Sequence, residues 1–430
     1  MTSELIIENC TLLPRVDRPW IEDAFLRVRG ATVDDYGSMA ELQVDSSDSV
    51  VRVDGKNRLV MPGLINAHNH CAMTLFRGMA DDLELTTWLN EHIFPAEAAR
   101  VNPEMVYHCT KLAAAEMILS GTTSVADGYF FEDKAADAFI DSGMRAVASH
   151  GVLDFPAPGV ADPKRNVAAV AEFIDRLEGR HPRVQPAVFA HSPYTCSPET
   201  LIRARELARD RGVPFFIHLA ESQAEQAMIA DPRGASPVKH LAALGVLDSN
   251  CVCIHCVWLD EEDLELFGNC GGSAVICPQS HLKLASGIAP ALEMIERNIR
   301  VGLGTDGCAS NNSLDMFREM DLFAKTQKAY SEEATALSAR QALVAATETN
   351  GRILGLEQVG RLEPGWKADV IGINLDQPHL CPCYSQDTLV YAASGSDVDL
   401  VIIDGELVME ERRILTFDLD ETMAAVRRLM

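Results

Sequence analysis

Apolar residues fall along this chain in two styles. Residues 4 to 60 hold short alternating or β-branched runs, Leu5-Ile-Ile, Ala24-Phe-Leu-Arg-Val and Val50-Val-Arg-Val, cut by Asp-Gly and Asn turns. Residues 366 to 410 repeat that style in Ala368-Asp-Val-Ile-Gly-Ile and Leu400-Val-Ile-Ile-Asp-Gly-Glu-Leu-Val. Both ends therefore predict strands and turns without intervening helices. In the middle, apolar runs recur near 59–67, 122–127, 144–149, 184–190, 214–219, 251–256, 273–277 and 300–305. Stretches of helical periodicity separate most of them, such as Pro103 to Ser120, Pro198 to Asp210 and Ile288 to Asn298.

Strands alternating with helices imply right-handed crossovers and parallel pairing, and eight such units close naturally into a (β/α)8 barrel. A doubly wound open sheet is the alternative, but no Gly-x-Gly-x-x-Gly follows an early strand. The expectation is an α/β protein: a TIM-like barrel over 62–365, beside a small β-sandwich built from both termini, 1–61 and 366–430.

Composition narrows the class. Of 430 residues 47% are hydrophobic and 23% charged, which excludes disordered, collagen-like and disulfide-scaffold proteins. The 37 basic and 63 acidic residues leave a net charge of −26, and no Lys/Arg-rich stripe interrupts it. Nucleic acid and anionic membrane surfaces are therefore poor partners. No apolar run approaches the roughly 18 residues of a membrane span, and Glu4 stands where a signal peptide would carry basic residues. The expected location is cytoplasmic. Twelve cysteines are too dilute for a disulfide framework, and the clusters Cys251, Cys253, Cys256 and Cys381, Cys383 lack partners at zinc-finger spacing.

Candidate chemistry lies where barrel strands end, because parallel strands open their C-terminal ends on one face. The first run stops at His68-Asn69-His70, and residues two apart on a strand point to the same side. Pro214-Phe-Phe-Ile ends at His218, Val252-Cys-Ile at His255, and Val301-Gly-Leu-Gly-Thr at Asp306. Singly, each is as well explained by a solvated loop histidine, a hydrogen-bonded core group or a helix cap. Together on one face, imidazoles and a carboxylate are ligands for a borderline divalent metal that keeps a water. Bound Zn²⁺ lowers the pKa of such a water to about 7. Glu221, three residues past His218, is within reach as a proton shuttle; its alternative is a first-turn helix glutamate.

Pro62-Gly-Leu-Ile-Asn-Ala-His-Asn-His70, His218-Leu-Ala-Glu221, His255-Cys-Val and Gly304-Thr-Asp-Gly307 together resemble the amidohydrolase superfamily, over nearly the whole chain. The resemblance implies a barrel with a flanking β-sandwich, one divalent metal (Zn²⁺ first, Fe²⁺ or Mn²⁺ as alternatives) on His68, His70, His218 and Asp306, and a homo-oligomer, dimer or tetramer. Dinuclear members add a lysine at strand four, and Ala187-Val-Phe-Ala-His191 has none.

Trp88-Leu-Asn-Glu-His-Ile-Phe-Pro-Ala-Glu97, His191-Ser-Pro-Tyr-Thr-Cys-Ser, Leu282-Lys-Leu-Ala-Ser-Gly-Ile-Ala-Pro and Asp306-Gly-Cys-Ala-Ser-Asn-Asn-Ser-Leu resemble the 5′-methylthioadenosine/S-adenosylhomocysteine deaminases, in the branch shared with triazine hydrolases. That resemblance places Glu97 on the ribose hydroxyls and His191 on the purine. It implies hydrolytic deamination of S-adenosylhomocysteine, 5′-methylthioadenosine or adenosine by a metal-bound hydroxide, with Glu221, His255 and Asp306 as catalytic groups. Without the resemblance, Glu97 reads as a solvated helix residue and His191 as a turn cap. Where the family commonly has Asn and Arg, this chain has His281 and His150, which leaves the 5′ group open. The alternatives are a deaminase of another aminated purine or pterin, an s-triazine chlorohydrolase or aminohydrolase, and a non-catalytic scaffold.

Overall fold

The apolar run expected as one strand at 59–67 is two strands in two sheets. In the computed structural model, which describes residues 4–43, 50–233 and 236–430, Arg58–Pro62 pairs antiparallel with Val370–Asn374. One residue later, β1 (Leu64–Asn69) pairs parallel with β2 (Thr122–Tyr129). Gly63 makes the switch, and a Cβ there would stand 2.2 Å from the Thr123 hydroxyl, so only glycine fits. Strands buried on both faces read as continuous apolar runs whichever sheet they join, so the pattern alone does not show the break.

From β1 and β2 the sheet continues through β3 (Arg145–Val152), β4 (Val184–Ala190), β5 (Phe215–Leu219), β6 (Cys251–His255), β7 (Ser273–Ile276) and β8 (Arg300–Leu303), each parallel to its neighbour. Ile65, Ala126, Val147, Phe189, Phe216 and Val275 fill the interior. Helices cover the outside. Pro103–Leu119 begins at Asn102, whose side chain accepts the amides of Glu104 and Met105, and Pro198–Arg211 begins at Ser197 in the same way. The helix expected over 288–298 is trimmed to Ala291–Glu296, because Pro290 sets its start.

Closure between β8 and β1 relies on side chains where the other pairs have a backbone ladder. Asn350 donates to Ile65 O at 2.6 Å and to Leu303 O at 2.7 Å, and its Oδ1 accepts Leu303 N–H at 3.0 Å. Asn66 Oδ1 accepts Thr305 N–H at 3.0 Å while its Nδ2 donates to Thr305 Oγ1 at 2.7 Å. Asp306 N–H donates to His68 O at 3.1 Å.

The termini form a nine-stranded mixed sheet. Its order is 413–414, 406–410, 398–403, 370–374, 58–62, 4–12, 21–29 and 32–38, with 50–54 also on 4–12. Leu5, Ile7, Leu26, Val370, Leu400 and Ile402 share its core. Arg145, at the foot of β3, donates to Asp369 at 2.7 and 3.0 Å and to Asp404 at 2.9 Å, tying this sheet to the barrel through a buried pair. Among the described residues, no helix is long and apolar enough to cross a membrane.

Asn350→Leu keeps the volume but strips the seam of three buried hydrogen bonds. Each left-over backbone group costs about 1 to 3 kcal/mol, so we expect thermal unfolding monitored by circular dichroism to fall by several degrees. An unchanged midpoint would show that the seam does not depend on this side chain.

Candidate active site

Simple alternation along β1 would send Ile65, Ala67 and Asn69 to the barrel interior. The register against β2 slips by one residue between Asn66 and Asn69. That bulge turns His68 and His70 inward instead, while Asn69 donates to Thr305 Oγ1 at 3.2 Å. The sequence shows the spacing of the two histidines but carries no mark of the slip that aims them.

His218 is the last but one residue of β5, His255 ends β6, and Asp306 follows β8. His68 Nε2 lies 3.3 Å from His218 Nε2 and 3.4 Å from Asp306 Oδ1, and His70 Nε2 lies 3.4 Å from the same oxygen. The ligand atoms of His68, His218 and His255 all fall within 4.8 Å of one another, as do those of His68, His70 and Asp306. Both groups lack cysteine, and Cys251 and Cys253 are buried elsewhere with sulfurs 3.7 Å apart.

Burial lowers the His68 pKa to about 4 and pushes His218 and His255 well below the ordinary histidine value, so these rings are neutral at pH 7. His70 Nδ1 donates to Gly128 O at 2.5 Å, which leaves its Nε2 lone pair facing the site. Burial pushes the Asp306 carboxyl up, but the hydrogen bond with His68 and the surrounding imidazoles outweigh it and hold the group well below its usual range. Ser280 and Ser310 donate to Asp306 Oδ2 at 2.8 and 2.6 Å, and Gly307 N–H donates to Oδ1 at 2.8 Å. Lone pairs converging this closely repel one another unless a cation lies among them. The donor set therefore fits a borderline divalent metal.

The backbone is bent to present these groups. Ala220, His255 and Asp306 have φ of +53°, +77° and +62°, in the left-handed region that non-glycine residues rarely occupy. Glu225 secures one of these bends. Its carboxylate accepts Ala220 N–H at 3.0 Å and Glu221 N–H at 2.8 Å. Glu221 is thereby aimed into the site, its Oε2 3.6 Å from His255 Nε2. Burial, with Asp306 and Glu225 nearby, raises its carboxyl well above the usual value. On the far side, His255 Nδ1 meets His281 Nε2 at 3.1 Å. The sequence reading missed Glu225, since a glutamate in the first turn of a helix gives no sign that it folds back. His150 is a correction of another kind. It packs on Phe173 at 5.9 Å outside the barrel and does not line the cavity, so it is not one of the groups that shape it.

A cavity of about 510 Å³ opens over these groups, lined by His70, His218, Glu221, His255 and Asp306 at one end and by Glu97, His191 and Tyr194 along its wall. Glu97 is 7% exposed, on the helix Phe94–Arg100, and accepts the Tyr129 hydroxyl at 2.6 Å. Burial pushes its carboxyl to about 7 despite that bond. The His191 ring lies 4.9 Å from that of His218, and its Nδ1 meets Thr195 Oγ1 at 3.0 Å, so it braces the turn and faces the cavity at once. Of the singled-out site residues, all but His150 line the cavity or touch a side chain that does: His68 stands against His218 and His281 against His255.

The profile of the Amidohydrolase family matches residues 59–408. A 5-methylthioadenosine/S-adenosylhomocysteine deaminase of Syntrophus aciditrophicus is 44% identical over 411 residues, covering 95% of this chain and 92% of its own. A 5′-deoxyadenosine deaminase of Methanosarcina mazei is 42% identical over 412 residues, covering 94% of each chain. Among solved structures, a Xanthomonas campestris adenosine deaminase with bound zinc superposes with a TM-score of 0.95 at 34% identity, covering 99% of this chain and 98% of its own.

Tyr129→Phe removes the bond that draws Glu97 down, so its pKa should rise further above about 7, read from the ¹³C titration of the Glu97 carboxyl. A folded pKa above the unfolded one means that the fold holds a proton the unfolded chain releases. Stability from this group is thus full below the unfolded value and lost as pH rises toward the folded one. In the variant that loss should extend to higher pH, and an unmoved titration would show that the Tyr129 hydroxyl does not act on this carboxyl.

Proposed function

The chain belongs to the amidohydrolase family, and from that membership we propose that it is a metal-dependent hydrolase converting an adenine nucleoside to the inosine derivative and ammonia. The observation that carries this reading is one cavity holding both the imidazole–carboxylate cluster and the buried Glu97. His68, His70, His218 and Asp306 would hold one divalent cation, and the zinc in the Xanthomonas structure supports Zn²⁺ as the choice. When bound, that cation supplies a Lewis acid that lowers the pKa of water to about 7.

The side chains divide the remaining work. Water adds to C6 of the purine, and Glu221 takes a proton from it and gives it to N1. Its raised pKa suits a group that must hold a proton and pass it on. His255, held between Glu221 and His281, orients the attacking oxygen. Asp306 takes the second proton and passes it to N6, which leaves as ammonia while C6 becomes a carbonyl. His191 borders the ring, and Glu97 accepts the two vicinal ribose hydroxyls. A free purine, a pterin or an s-triazine has no such hydroxyls and would leave Glu97 without a partner from the substrate.

An ammonia-release screen of adenosine, 5′-methylthioadenosine, S-adenosylhomocysteine, guanine, pterins and an aminotriazine tests the reaction, and turnover only of compounds without ribose would overturn it. Glu221→Gln keeps the shape but carries no proton, so metal content by mass spectrometry should be unchanged while kcat falls by about 10² to 10⁴. Loss of metal instead would make Glu221 a ligand.

Glu97→Ala should lower kcat/KM for a ribonucleoside by about 10² or more, since two charge-assisted bonds of about 1.5 to 3 kcal/mol are lost. For the 2′,3′-dideoxy analogue it should matter much less. Equal losses on both compounds would remove the ribose role.

A further inference from the structure

The cavity is much larger than its chemical end, and its outer part has a composition of its own. From the imidazole cluster the wall can be followed outward. The Tyr129 ring lies 6.3 Å from His70, and its hydroxyl rests on Glu97. Phe94 stands three residues before Glu97 on the same helix, so both face one side. The Phe94 ring in turn lies 6.1 Å from Phe155, which is 38% exposed at the mouth. Trp88 and Leu89, on the turn that leads into Phe94, and Pro156, next to Phe155, also line the cavity. Among the described residues lining the whole cavity there is no lysine and no arginine, and the formal anions are Glu97, Glu221 and Asp306.

If C6 of the purine sits at the imidazole cluster and the ribose hydroxyls at Glu97, the substituent on C5′ falls among Phe94, Phe155, Trp88, Leu89 and Pro156. This rests on the nucleoside reading above. We infer that the site is selective for an uncharged, apolar 5′ substituent, a deoxy carbon or an alkyl thioether, and discriminates against a 5′ chain ending in an amino-acid zwitterion. An alkyl chain gains by leaving water against this wall. A carboxylate placed there leaves water and meets no cation in return.

The test compares two nucleosides of equal chain length, 5′-butylthioadenosine and S-adenosylhomocysteine, by ammonia release on the metal-loaded protein. We expect kcat/KM for the butyl compound to exceed that for the zwitterion by 10²-fold or more. Phe155→Arg, at an exposed position outside the core, supplies the missing cation and should narrow the ratio at least tenfold; Leu89→Arg is a second variant on the same wall. Turnover of both nucleosides at similar kcat/KM overturns the selectivity while leaving the deaminase reading intact. No ammonia from either overturns the deaminase reading and this inference with it. A large wild-type ratio that neither arginine narrows would place the discrimination away from this wall, and would equally overturn the inference.

Discussion

Closing the barrel and building the site are one event, because the seam between β8 and β1 runs through the site itself. His68 offers its carbonyl to the amide of Asp306 and its ring to the Asp306 carboxylate. Gly304 lies so close to the β1 backbone that a Cβ would stand 2.8 Å from His68 N. Asn66 and Asn350 hold the two strands at that distance with side-chain amides, which can reach across a junction where the ladder fails. A barrel that closed more loosely would pull the carboxylate away from the imidazoles. The fold therefore cannot relax at this seam without dispersing the donor set.

Electrostatics inside the cavity follow from the same enclosure. The chain as a whole is strongly acidic, yet the groups in the site are set by burial far more than by net charge. Desolvation keeps His68, His218 and His255 neutral and raises Glu221, Glu225 and Glu97, while Asp306 is held ionised by its neighbours. One enclosed space thus contains carboxyls poised to hold protons beside one that is not, a separation that acid–base chemistry at neutral pH requires.

The eight-strand rhythm was legible in the sequence because each barrel strand is an apolar run followed by a helical stretch, some of them opened by a capping residue such as Asn102, Ser197 or Asp260. The positions of His68, His70, His218, His255 and Asp306 were legible as strand ends. What aims them was not. The bulge in β1 depends on how β2 packs beside it, and the left-handed turns at Ala220 and His255 depend on contacts from Glu225 and from neighbouring strands. Sheet membership on either side of Gly63 was hidden too, since Leu59 and Ile65 are equally buried and equally apolar. Glu97 looked like an ordinary helix glutamate; only the fold shows it buried against Tyr129.

The pairing of Arg58–Pro62 with Val370–Asn374 also governs the order in which this molecule can be completed. On the ribosome, the strands before Gly63 emerge first, but their neighbour in the sheet lies beyond the entire barrel. Until Val370 to Asn374 has been synthesised, the N-terminal strands present an open hydrogen-bonding edge of apolar character. Such an edge attracts other chains, and long-range closure is slow. Arg145 waits as well, since Asp369 and Asp404 arrive only with that last segment. Truncating the chain before residue 370 would thus leave a barrel with an unpaired cation at its foot and an adhesive strand beside its first histidines, and premature termination there should yield aggregate.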